Sequence, residues 1–113
     1  MVVETLKEIC LRQEQRDTRT RFHCRVPANF YGFKGHFEGQ PILPGVCQLR
    51  LVTDGIAMIA APPSIARVEK MKFHNLILPD TAFIIELEPQ SNAWCYRIFS
   101  SAGEFASGKI ILR

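Results

Sequence analysis

Gly35-His36-Phe37-Glu38-Gly39-Gln40-Pro41-Ile42-Leu43-Pro44-Gly45-Val46 places one histidine, three glycines and two prolines in twelve residues, and an apolar segment follows at once. Each proline removes a backbone donor and stiffens the loop. Pro44 and Gly45 stand where the next periodic segment opens. Proline is tolerated there because the first N–H groups of a helix have no internal acceptor. Gly45 admits close approach of another backbone or of a ligand. The helix dipole favours negative charge at this end, so the Gly45 and Val46 amides are candidates to hold a developing oxyanion. His36 titrates near neutral pH and suits a general base. The same residue types also compose an ordinary proline–glycine turn carrying one exposed histidine.

Downstream, Val46, Leu49, Thr53, Ile56 and Ala60 keep helical spacing, and much of the opposite side is apolar too. This predicts a helix from Gly45 to about Ala60, buried nearly all round and stopped by Pro62-Pro63. Gly55 within it points to close packing against a neighbour. Upstream, Phe22, Cys24 and Val26 alternate with His23 and Arg25, which predicts a strand ending at Pro27, with His23 facing solvent. Residues 16–21 read as a turn and the start of that strand. Residues 4–14 read as a strand, with a short helix fitting nearly as well. Asn29-Phe30-Tyr31-Gly32-Phe33 brings three aromatics together before the histidine.

The rest reads as strands over 66–74, 81–87, 93–99 and 106–112. Turn-prone residues separate them, which predicts successive hairpins in an antiparallel sheet. The order β-β-α-β-β-β-β in a single domain, residues 1–113, is an α+β chain. Its 47% hydrophobic and 22% charged residues are ordinary for a globular protein. The net charge of +3 suits an acidic protein partner and does not argue for nucleic acid. Cys10, Cys24, Cys47 and Cys95 are widely spaced and form no C-x-x-C, which argues against a zinc site and for free thiols in a reducing cytoplasm. Cys47 reads as a small core residue. Residues 1–8 lack the apolar run of a signal peptide, and no segment reaches the length of a membrane span.

Gly35-His36-Phe37-x-Gly39-x-Pro41-x-x-Pro44-Gly45-Val46 resembles the signature of the β-hydroxyacyl-acyl-carrier-protein dehydratases, members of the hotdog-fold superfamily. Val68-Glu69-Lys70-Met71-Lys72-Phe73-His74-Asn75-Leu76-Ile77-Leu78-Pro79-Asp80 is similar to that family's strand with a Lys-x-Phe core and a following Pro-Gly-Asp turn, with the turn glycine absent. Over Gln40–Leu49 the short dehydratases of aryl-polyene and related lipid pathways are the more similar group.

The resemblance implies a hotdog fold, an antiparallel sheet wrapped around one long central helix. It implies a homodimer or higher even oligomer, joined edge to edge, with active sites at the interface. The substrate would arrive on the phosphopantetheine of an acyl carrier protein, without metal or organic cofactor. His36 would be the base and Gly45 the oxyanion contact, while Phe30, Phe33, Phe37 and Val46 would wall the acyl tunnel. Lys34, Arg67, Lys70 and Lys72 are candidate docking charges, each also readable as solvated surface.

One position departs from the pattern. In the resembled family the acid, a Glu or Asp supplied by the helix of the other protomer, lies fourteen residues after the histidine, and here that residue is Arg50. Arginine stays protonated at neutral pH and is a poor proton donor. Asp54 lies one turn further and can pair with Arg50 on one helix face. Three readings follow: the acid role has moved to Asp54, or to water held by Asp54 and Arg50; Arg50 polarises a thioester in a hydrolase-like reaction; or the chain is a non-catalytic subunit beside an active paralogue. A plain structural ion pair at the dimer interface is the simplest account of Arg50 and Asp54.

Overall fold

The computed structural model describes residues 3–33 and 41–113. A four-residue helix α1 (Leu6–Ile9) leads into β1 (Cys10–Arg16) and β2 (Arg19–Val26), and a 3-10 turn covers Tyr31–Phe33. The long helix α2 (Gly45–Ile59) follows, then β3 (Ile65–Phe73), β4 (Thr81–Gln90), β5 (Ala93–Ser100) and β6 (Gly103–Leu112). The six strands form one antiparallel sheet in the order β1-β2-β4-β5-β6-β3. Residues 4–14 therefore hold both alternatives, a helical turn and then a strand.

Alternation along the strands fixes which face is inside. Phe22, Cys24 and Val26 of β2 are buried, as are Phe83, Ile85 and Leu87 of β4 and Tyr96 and Ile98 of β5. They close on α2, whose buried residues are Cys47, Gln48, Leu51, Val52, Gly55 and Ile56. That spacing is one stripe of a helix. The expectation of burial all round is corrected: Val46, Ala57 and Met58 stay exposed because the sheet covers only one side of α2 in the single chain. Gly55 lies where α2 packs closely on the sheet and on α1. A Cβ there would stand 3.0 Å from Leu87, 3.1 Å from Phe22 and 3.2 Å from Leu6.

The sequence of hairpins also needs correcting. β1–β2, β4–β5 and β5–β6 are hairpins, but β3 pairs with β6 at the sheet edge and not with β4. Residues 74–80 cannot serve as a tight turn because they pack as a strap. Ile77 is fully buried, and its carbonyl accepts the Leu43 N–H at 2.9 Å. The strap ends where Asp80 N–H donates to the Val26 carbonyl at 2.7 Å. Asp80 has φ 62°, so it takes the left-handed conformation that a turn glycine would supply.

The outer sheet face carries charge. Arg21 Nε lies 2.8 Å from Glu86, Arg97 contacts Glu86 at 3.4 Å and Glu104 at 2.8 Å, and Glu86 is only 6% exposed. His23 is on this face too, with its Nε2 2.6 Å from Glu14.

Candidate active site at the head of helix α2

Helix α2 opens at Pro44, which takes an extended conformation and lacks the side-chain oxygen of a usual cap. Its carbonyl accepts from Cys47 N–H and Gln48 N–H, both at 3.1 Å. No described residue accepts from the Gly45 or Val46 N–H. These two amides at the positive end of a fifteen-residue helix are the geometry expected of an oxyanion contact. Phe73, from the end of β3, explains the glycine. A Cβ at position 45 would meet its ring at 2.6 Å. Val46 beside it is 74% exposed and Phe73 53%.

The loop before α2 is seated by the 3-10 turn. A Cβ on Gly32 would meet Leu43 at 2.8 Å and Cys47 Sγ at 3.0 Å, so the turn lies directly on the first turn of the helix. Phe30 and Phe33 are buried in the core, with ring centroids 6.4 Å apart in an edge-on arrangement. Cys47 is buried, as a small core residue should be. Tyr31 is half-buried, packs on Phe30 with ring centroids 5.0 Å apart, and lies beside Cys47 and Arg50 of α2. The Arg50 guanidinium carbon lies 5.4 Å from its ring centroid. Burial raises the Tyr31 pKa and Cys47 adds to the rise, while Arg50 opposes it. The Tyr31 contact raises the Arg50 pKa in turn.

Asp54 faces another neighbour. Its Oδ2 accepts the Leu6 N–H at 3.2 Å, at the N-terminus of α1. The expected Arg50–Asp54 ion pair is therefore not formed among the described residues: Arg50 covers Tyr31, and Asp54 caps α1. The N-terminal segment makes both arrangements possible. Val3 carbonyl accepts the Tyr31 N–H at 2.8 Å, and Thr5 with Glu8 closes a reciprocal cap on α1.

His36 and Phe37 lie outside the described residues, as does Lys34. Arg67 pairs with Glu69. Lys70 and Lys72 line a cleft of about 300 Å³ with Lys109, Ser107 and Cys95. Among the described residues, no three His, Cys, Asp or Glu side chains converge as metal ligands. No helix there is long and apolar enough to cross a membrane. Reading the sequence missed two parts of the site, Phe73 over Gly45 and Tyr31 over Arg50. Three aromatics crowded before the histidine were the available signal for the second.

A family model described as ApeI dehydratase matches residues 12–109. The chain belongs to the ApeI-like dehydratase family. Among solved structures it is similar to the dehydratase heterocomplex ApeI:P from Xenorhabdus doucetiae, with TM-score 0.84 and 25% identity over 92% of this chain and 96% of that one. It is also similar to an uncharacterized protein from Erwinia carotovora subsp. atroseptica, with TM-score 0.71 and 29% identity over 89% of each chain. Among curated proteins, 3-hydroxyacyl-[acyl-carrier-protein] dehydratase FabZ of Caldicellulosiruptor saccharolyticus is 29% identical over 68 residues. That match covers 50% of this chain and 46% of the FabZ chain, so it spans less than half of that relative. The six-stranded antiparallel sheet around α2 is the hotdog fold of these ApeI-like dehydratases.

Proposed function

We propose that the chain removes water from a β-hydroxyacyl thioester in fatty-acid-like or polyene-type synthesis. The observation that carries this reading is the pair of open amides, Gly45 and Val46, at the head of the helix that follows the histidine signature in a dehydratase-family chain. Elimination requires a base for the α-proton, a donor for the enolate oxygen, and an acid for the departing hydroxyl. His36 is the base in this reading, and the Gly45 amide binds the thioester oxygen. Val46, Phe37, Phe33 and Phe30 shape the acyl site, with the last two acting from within the core.

The substrate is carried on the phosphopantetheine arm of an acidic acyl carrier protein. Lys70, Lys72 and Lys109 around their shared cleft suit an acidic docking face. A second hotdog protomer covers the β3 edge, where Met71, Phe73, Leu76 and Leu78 are all more than 40% exposed. It is either a second copy of the chain or a paralogue. Arg50 at the family's acid position favours, as the second reading, a binding subunit whose partner performs the chemistry.

The test is mass spectrometry of 3-hydroxyacyl carrier-protein thioesters incubated with the purified protein and with His36→Ala. The reading expects loss of one water, slowed about 10²- to 10⁴-fold in the variant. Release of the free acid would make the chain a thioesterase. Turnover only after a paralogue is added would establish the second reading.

A further inference from the structure

Among the side chains that this chain itself brings to α2, the proton donor of the dehydration has no obvious owner. Hydroxide is a poor leaving group, so the oxygen must receive a proton as the Cβ–O bond breaks. Arg50 holds its proton too tightly to give it up at neutral pH. Asp54 Oδ2 already accepts the Leu6 N–H, which turns this carboxyl group toward α1. Beside the first two turns of α2 stands Tyr31 of the 3-10 turn, a neutral O–H donor next to Cys47 and to Arg50, the residue at the family's acid position. Its position is not accidental to a flexible loop. The Tyr31 N–H is tied to Val3, its ring packs on Phe30 at 5.0 Å, and the neighbouring Gly32 is pressed onto Cys47.

We propose that the Tyr31 hydroxyl, held against Arg50 on α2, is the proton donor to the departing β-hydroxyl. The inference rests on the dehydration reading and completes it. His36 takes the α-proton, the C–H electron pair becomes the Cα=Cβ bond, and the Cβ–O bond breaks. The phenolic proton passes to that oxygen, and water leaves. Arg50 faces the phenolate that forms and stabilises its charge. The proton on His36 returns to the phenolate through solvent, so both groups end as they began. Burial and Cys47 keep Tyr31 protonated before the step, the state an acid needs.

The experiment compares two substrates on wild type and Tyr31→Phe. One is the 3-hydroxyacyl thioester. The other is its 3-chloro analogue, whose leaving chloride needs no proton. The inference expects Tyr31→Phe to slow water loss about 10²- to 10⁴-fold while chloride loss stays within about threefold of wild type. Equal losses on both substrates would make Tyr31 a structural residue and overturn the inference. So would water loss within about threefold of wild type. A wild type that eliminates neither group would overturn the dehydration reading itself, and the inference with it.

Discussion

Asp54 is held by a backbone amide 48 residues away in the chain, and that contact decides how it should respond to mutation. Asp54→Ala removes the acceptor for the first turn of α1 and should cost about 1 kcal/mol in chemical unfolding. Asp54→Asn keeps an acceptor oxygen and should recover most of that loss. A hundredfold fall in water loss for Asp54→Asn, at unchanged stability, would instead assign the leaving-group proton to Asp54. Residue-scale reading from sequence reached Gly45, Arg50 and Asp54 because glycine, arginine and aspartate have narrow chemical uses at a helix. It did not reach their partners. Helical spacing puts Arg50 and Asp54 on one face, but the competing donors on that face come from residues 3–6 and from Tyr31. Their approach is a tertiary fact that no local period records.

At the scale of elements, α2 and its crossing with the sheet carry the fold. Gly55→Leu would drive a side chain into Leu87, Phe22 and Leu6 at a point where even a Cβ sits at 3.0–3.2 Å. The expected cost is about 3 kcal/mol, read as a lower melting temperature, because overpacking outweighs the gain in helix propensity. A variant as stable as wild type would show that the crossing is looser than described. Strand alternation made the inner face of β2, β4 and β5 legible in the sequence. The partner of β3 was not legible. Strand pairing was read from short separators, yet residues 74–80 owe their path to Ile77, the one residue of Leu76-Ile77-Leu78 that is buried and anchors the strap in the core.

For the whole molecule, two edges of the sheet differ. β1 presents Arg12, Gln13, Glu14 and Arg16 beside one exposed apolar residue, Leu11, whereas the β3 end presents Met71 and Phe73 between and after Lys70 and Lys72. Phe73 lies over Gly45, so a second protomer seated on this apolar side would meet the proposed site at the open amides of α2.

Three surface carboxylates contribute to how stability responds to acid. Thr5 holds the Glu8 carboxyl below its usual value, His23 does so for Glu14, and Arg19 for Glu88. A depressed folded pKa gives stability that is present above the usual carboxylate range and is lost as pH falls through the folded values. Melting temperature should therefore drop on acidification. The drop should be shallower in a Glu8→Gln, Glu14→Gln, Glu88→Gln variant, and modest throughout because these groups are exposed.

The central claim, elimination of water at the β-carbon, is tested most directly in reverse. A 2-enoyl carrier-protein thioester is incubated with the protein in water labelled with heavy oxygen, and the products are separated by mass. The account predicts label in the hydroxyl of the 3-hydroxyacyl thioester, with the thioester intact and the incorporation lost in His36→Ala. Label appearing only in a released carboxylic acid would contradict it.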